Sequence, residues 1–177
     1  MATTSEVPAS AGTATHATIP SSLGDLTLVT RGETVTGLYF PHHWHMPDPA
    51  VFGQYRDAGS EEVRRQLDEY LAGERREFDV PVEAAGSPFQ ERVWRLLRQI
   101  PYGTTVSYGD LARELGEAIT AREVGAAVGR NPVSVIVPCH RVLGADGGLT
   151  GYAGGLRRKR ILLDLEQQVA GRAARLF

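Results

Sequence analysis

The sequence predicts an α+β protein in two parts, a small N-terminal α/β unit and a mainly helical C-terminal unit. Residues 26–40, LTLVTRGETVTGLYF, read as two short strands around Arg31-Gly32-Glu33, since Thr, Val and Tyr favour strands and the glycine supplies the turn. From Ser87 onward, three helix starts follow one another, each with Ser or Thr at the cap and Gln, Asp or Glu three residues later. Charge divides at the same place. Residues 1–86 carry 13 acids and 6 bases, residues 87–177 carry 8 acids and 13 bases, so the halves stand at −7 and +5.

A chain of 177 residues, 42 % hydrophobic, is long enough to bury a real core. One cysteine excludes an internal disulfide and a cysteine-rich zinc site, which points to a reducing compartment. No apolar run approaches the roughly 20 residues of a membrane helix. Residues 1–20 lack the basic start and apolar stretch of a signal peptide and read as a disordered tail. A soluble, cytoplasmic protein is expected. The first unit is placed at residues 21–86 and the second at residues 87–170.

After the strand pair, residues 41–50 (PHHWHMPDPA) form a loop rich in Pro and His. Val63, Leu67, Tyr70 and Leu71 then fall on one face of a helix over residues 61–72, stopped by Gly73. Residues 78–82, FDVPV, alternate as a strand does, and residues 83–86 read as a linker. Ser87-Pro88-Phe89-Gln90 is a capping-box start, followed by Phe89, Val93, Leu96, Leu97 and Ile100 at the helical period. Ser107-x-x-Asp110 opens a second helix, closed by Gly116. Thr120-x-x-Glu123 opens a third, closed near Asn131-Pro132. Two short helices with a brief glycine turn between them form a helix-turn-helix pattern. Residues 133–138, VSVIVP, read as extended and buried. A glycine loop at 144–155 leads into a last helix from Leu156, whose first turn holds Arg157, Arg158, Lys159 and Arg160. Four bases there oppose the helix dipole, so they are expected to face an anion or an acidic surface.

Cys139 is the one thiol and is followed by His140. A thiolate is the reactive form, and a nearby histidine favours it. A lone cysteine after a valine run is also what a buried core residue looks like. Here the run ends in proline, His and Arg follow at once, and a glycine loop lies next door. In an extended segment Cys139 and His140 would point to opposite faces. A bridging water, with a carboxylate orienting the imidazole, reconciles the pair.

The string NPVSVIVPCHRV, with VSYGDLA and AREVGAAVGRNP before it and GGLTGYAGGLRRKRILLDLE after it, resembles the bacterial 6-O-alkylguanine-DNA alkyltransferases. The likeness is dense over residues 87–166 and loose before them. It implies a ribonuclease-H-like first unit and a winged helix-turn-helix second unit. It further implies that Cys139 accepts the alkyl group, that His140 takes the thiol proton through a water, and that Glu166 orients the imidazole. Tyr108 matches the phenol that gives a proton to guanine, and Asn131 the hinge asparagine. Arg122 matches the arginine that fills the space of the extruded base, with Ala121, Gly125, Tyr108 and Gln90 as further candidate DNA contacts. Val142, Tyr152 and Ala153 match the pocket that reads the guanine edge. Double-stranded DNA holding an alkylated guanine is the implied partner of a monomer, and neither cofactor nor membrane is implied.

Base flipping of this kind costs about a few kcal/mol, part of which an inserted arginine offsets. Glu123 departs from a cationic DNA-facing helix and serves either as a cap or as a weakening charge. His42, His43 and His45 read as a polar loop, and no metal site is expected. A non-catalytic module that binds alkylated DNA or regulates transcription is the alternative function, with a Cys/His hydrolase behind it.

Overall fold

The computed structural model of the chain describes residues 12–175. A four-stranded sheet in the order β3-β2-β1-β4 organises the first half. Its strands are β1 (Ala14–Ile19), β2 (Leu26–Arg31), β3 (Thr34–Tyr39) and β4 (Gln54–Tyr55). The β2–β3 hairpin is the one the sequence predicts, with Gly32 at φ 59° in its turn. The expected tail is corrected. Its residues 1–11 lie outside the described residues, but 14–19 form β1, which pairs with both β2 and β4 inside the sheet. The stretch ATHATI alternates with Ala17 and Ile19 turned inward, and its small and polar residues hide that period.

Helix α1 (Glu61–Leu71) lays Val63, Leu67 and Tyr70 into the core that also holds Leu26, Leu28, Val35 and Leu38. The other sheet face carries a small cluster of Val29, Tyr39 and Phe52, the last from a 3-10 turn at Pro49–Phe52. The FDVPV run is not a strand. Pro81 has no N–H to give a ladder, and contact is limited to a bridge between Val82 and Val35.

In the second half, α2 (Pro88–Leu97), α3 (Tyr108–Leu115) and α4 (Ala121–Gly129) each begin with the expected capping box. Glu123 is the reciprocal cap of α4, accepting from the Thr120 backbone N–H at 2.8 Å. A five-residue turn, 116–120, separates α3 from α4. Trp94 of α2 donates its indole N–H to Ala127 O of α4 at 2.8 Å, tying the first helix to the third. A short parallel pair, β5 (Val106–Ser107) and β6 (Val142–Leu143), and α5 (Leu156–Ala174) complete the fold. No helix among the described residues is long and apolar enough to cross a membrane.

The halves share one continuous core running from Ile19 to Leu162. Edge strand β3 also takes the segment before Cys139. Leu38 N donates to Pro132 O at 2.8 Å, and Ser134 N donates to Leu38 O at 3.0 Å. Phe40, just beyond β3, packs on Tyr152 of the glycine loop and under the Arg158 guanidinium. An added Cβ on Gly154 would sit 2.3 Å from the Phe40 ring. Gly154→Ala is therefore expected to cost about 1–3 kcal/mol by overpacking, read as a lower midpoint in thermal denaturation.

Candidate active site

Residues 133–138 are buried as expected but are turned rather than extended. Val137 N bonds Val133 O at 3.0 Å, and Val135 adopts φ 70°. That conformation is unfavourable for a β-branched side chain and persists where surroundings impose it. Asn131 supplies part of the restraint. Buried at 2 % exposure, it donates Nδ2–H to Val137 O at 2.9 Å and accepts from Val133 N at 3.0 Å. The chain emerges into a 3-10 turn at Cys139–Arg141, so the opposite-face geometry of an extended pair does not apply.

Glu166 of α5 gathers the groups around it. Its Oε1 accepts from His140 Nε2 at 2.8 Å, from Tyr70 OH at 2.5 Å and from Arg141 Nη2 at 2.9 Å. Oε2 accepts from Arg141 Nε at 2.9 Å and from Gly103 N at 3.0 Å. Burial raises the carboxyl pKa, but the bonds from His140 and Arg141 outweigh it and bring the value down to about 2. Burial lowers the His140 pKa against the pull of Glu166, so the imidazole is neutral. With Nε2–H committed to Glu166, Nδ1 carries the lone pair. It has no hydrogen-bond partner among the described residues.

Cys139 lines a cavity of about 180 Å³. Tyr108, Gly125, Tyr152 and Ala153 share the lining, and the loop of the first half adds Trp44 and His45. Burial raises the thiol pKa, while the Asn131 amide and the Lys159 ammonium oppose the rise. Burial also raises the pKa of Tyr108, whose hydroxyl donates to Thr150 O at 3.2 Å. The phenol thus holds its proton. Lys159, fully buried, donates Nζ–H to Val142 O at 2.6 Å and Thr150 O at 3.0 Å, tying β6 to the middle of the glycine loop. Burial lowers its pKa to about 8, against the pull of Cys139.

The structure therefore brings Cys139, Tyr108, Tyr152, Ala153 and Gly125 to one cavity, with Glu166 and His140 hydrogen-bonded to each other. It places others elsewhere. Val142 does not line the cavity, and its carbonyl is taken by Lys159. Gln90 spends its side-chain oxygen on the Ser87 N–H in the α2 capping box. Ala121 and Arg122 are exposed at the start of α4. The four bases of α5 do not act together. Lys159 is buried on carbonyls, and Arg158 bonds Leu23 O and Gly154 O. In the loop at 41–50, His43 is buried edge-on against Tyr39. No group of three or more His, Cys, Asp or Glu among the described residues is placed to hold a metal.

Sequence reasoning missed Tyr70, Arg141, Lys159, Trp44 and His45. Lys159 had a signal: with Leu162, Leu163 and Glu166 it lies on the buried stripe of α5 at positions i, i+3, i+4 and i+7. A buried Tyr70 hydroxyl likewise required a partner.

Two family descriptions match the chain: the ribonuclease-like domain of 6-O-methylguanine DNA methyltransferase over residues 15–84, and the DNA binding domain of the same proteins over residues 88–168. A methylated-DNA–protein-cysteine methyltransferase of Mycobacterium tuberculosis is 47 % identical over 169 residues, covering 92 % of this chain and 98 % of its own. A crystal structure of the M. tuberculosis O6-methylguanine methyltransferase superposes with a TM-score of 0.79 at 44 % identity, over 88 % of this chain and 93 % of that one. A second, M. tuberculosis OGT in complex with DNA, gives 0.76 at 45 % identity over 88 % and 94 %. The fold is that of a ribonuclease-like unit joined to a helical DNA-binding unit. The chain belongs to the 6-O-methylguanine DNA methyltransferase family.

Removing the Glu166 charge leaves Arg141 buried without an anion. Glu166→Gln is expected to cost about 3–5 kcal/mol, a fall of roughly 10 °C in Tm. Both His140 and Glu166 have folded pKa values below their ordinary 6.5 and 4.5. Their stabilisation is complete above those values and is lost as pH falls, starting below 6.5 and continuing towards 2. Thermal melts across this range should show a steep acid limb in the wild type and a shallower one in Glu166→Gln.

Proposed function

We propose that this chain repairs DNA directly, moving the alkyl group of a 6-O-alkylguanine to Cys139 in one irreversible step. The observation that carries this reading is the one thiol of the chain lining a cavity, next in sequence to a neutral His140 whose Nδ1 has no hydrogen-bond partner among the described residues. The names of its relatives agree with it.

In this reading His140 takes the thiol proton through a water, and Glu166 steadies the imidazolium that forms. The sulfur electron pair attacks the alkyl carbon, and the carbon–oxygen bond breaks with its pair moving to guanine. Tyr108 gives guanine a proton, so the base leaves neutral. The proton on His140 then restores Tyr108 through solvent. The sum is thiol plus alkylguanine to thioether plus guanine, with no cofactor. A thioether is not hydrolysed, so one thiol supports one turnover.

An alkylated oxygen inside a base stack is out of reach, so the nucleotide is flipped into the cavity. Arg122, exposed at the start of α4, fills the gap, and Ala121 beside it lets the helix approach the minor groove. A Cβ added at Gly125 would lie 3.7 Å from the Tyr108 ring, so this position of α4 stands directly against the phenol at the cavity wall. Duplex DNA is the partner, met by a monomer in the cytoplasm.

Incubation with excess duplex containing 6-O-methylguanine should add one methyl per protein, mapped to Cys139 by intact mass and peptide analysis. Cys139→Ser should bind the duplex and gain no mass. Binding by the wild type with unchanged mass would instead make the chain a lesion-binding module. Arg122→Ala should slow repair in duplex by about tenfold or more, a few kcal/mol of flipping cost no longer offset. Transfer from the free base should change little, and equal losses on both substrates would remove the flipping role.

A further inference from the structure

The cavity beside Cys139 is built from small residues on its helical and loop sides. Gly125, Ala126 and Gly129 come from α4, with Val128 the one larger side chain of that helix, and Gly151 and Ala153 come from the glycine loop. Large side chains on those sides are Tyr108 and Tyr152, and the structure engages both. Tyr108 is hydrogen-bonded to Thr150 O, and Tyr152 is buried against Phe40. The remaining bulk, Trp44 and His45, belongs to the loop of the first half.

That loop is held in place over the cavity. Trp44 N donates to Ala153 O at 3.0 Å, joining it to the glycine loop. His43 is anchored against Tyr39 at 5.3 Å between ring centroids. His42 and His45 adopt φ 58° and 60°, a conformation that non-glycine residues hold where surrounding structure imposes it. Yet Trp44, between them, is 68 % exposed, the most exposed large apolar side chain described. A bulky indole carried on so restrained a loop at the rim of a cavity limits the size of what can enter.

We propose that Trp44 and His45 form the outer wall of the alkyl-binding cavity and set the upper size of the group that reaches Cys139. The inference rests on the reading that Cys139 accepts an alkyl group. It gives the first half a direct part in substrate selection, through side chains rather than through support of the fold.

The test compares rates of transfer to Cys139 from duplexes carrying 6-O-methylguanine or 6-O-benzylguanine, followed by intact mass. The readout is the ratio of the benzyl rate to the methyl rate, which cancels effects on DNA binding common to both. Trp44→Ala should raise that ratio about fivefold or more, on the scale that a pocket gains from relieving a misfit. His45→Ala should raise it in the same direction, and Trp44→Phe should keep it within about twofold of the wild type. An unchanged ratio in both alanine variants overturns the proposal. So does a lower ratio, which would make Trp44 a holder of large groups rather than a limit on them. No transfer by the wild type from either duplex overturns the proposed function itself, and the wall with it.

Discussion

Glu166 is 1 % exposed and negatively charged, a state that costs several kcal/mol unless it is answered at every lone pair. The answers come from distant parts of the chain. Tyr70 reaches it from α1, Gly103 from the turn after α2, and His140 and Arg141 from the turn that bears the thiol. Arg141 continues the chain of contacts by donating Nη1–H to Ile100 O at 2.6 Å and lying over the Tyr102 ring. Satisfying one carboxylate thus fixes α1, α2, α5 and the active-site turn relative to one another. The same charge that would unfold the core if left alone orients His140.

A second constraint comes from the edge of the sheet. β3 has one side free after pairing with β2, and exposed edges invite unwanted pairing. Here residues 81–83 and 132–134 cover it. The backbone just before Cys139 is therefore tied to a strand of the first half, while Asn131 holds its turned shape from within. Support for the thiol comes from both units, which is consistent with one core spanning them.

Much of this was legible in the sequence because local chemistry decided it. The capping boxes at Ser87, Ser107 and Thr120, the hairpin at Gly32 and the stripe on α1 each depend on neighbours within a few residues. What escaped depends on partners far away. β1 has weak apolar alternation and becomes a strand because β2 and β4 lie on either side of it. Residues 133–138 have strand-forming side chains, yet Asn131 and the β3 edge turn them. The basic first turn of α5 suggests an anion, but Lys159 and Arg158 instead meet backbone carbonyls of β6, the glycine loop and Leu23. Pattern shows which residues are buried more readily than what they are buried against.

The resting chemistry of the thiol follows from the same burial. Desolvation keeps Cys139 protonated in the free protein, and it also keeps neutral the His140 imidazole that the proposed transfer uses as its base. Two neutral groups in a buried site exchange a proton poorly, even through a water, unless the charges created are stabilised at once. Glu166 stabilises the imidazolium, and the Lys159 ammonium and Asn131 amide stabilise the thiolate. These supports are built into the fold before any substrate arrives, as electrostatic preorganisation requires. In the proposed transfer the thiol is used once and is best kept inert until an electrophile is seated, and a buried, protonated Cys139 meets that condition without a moving part.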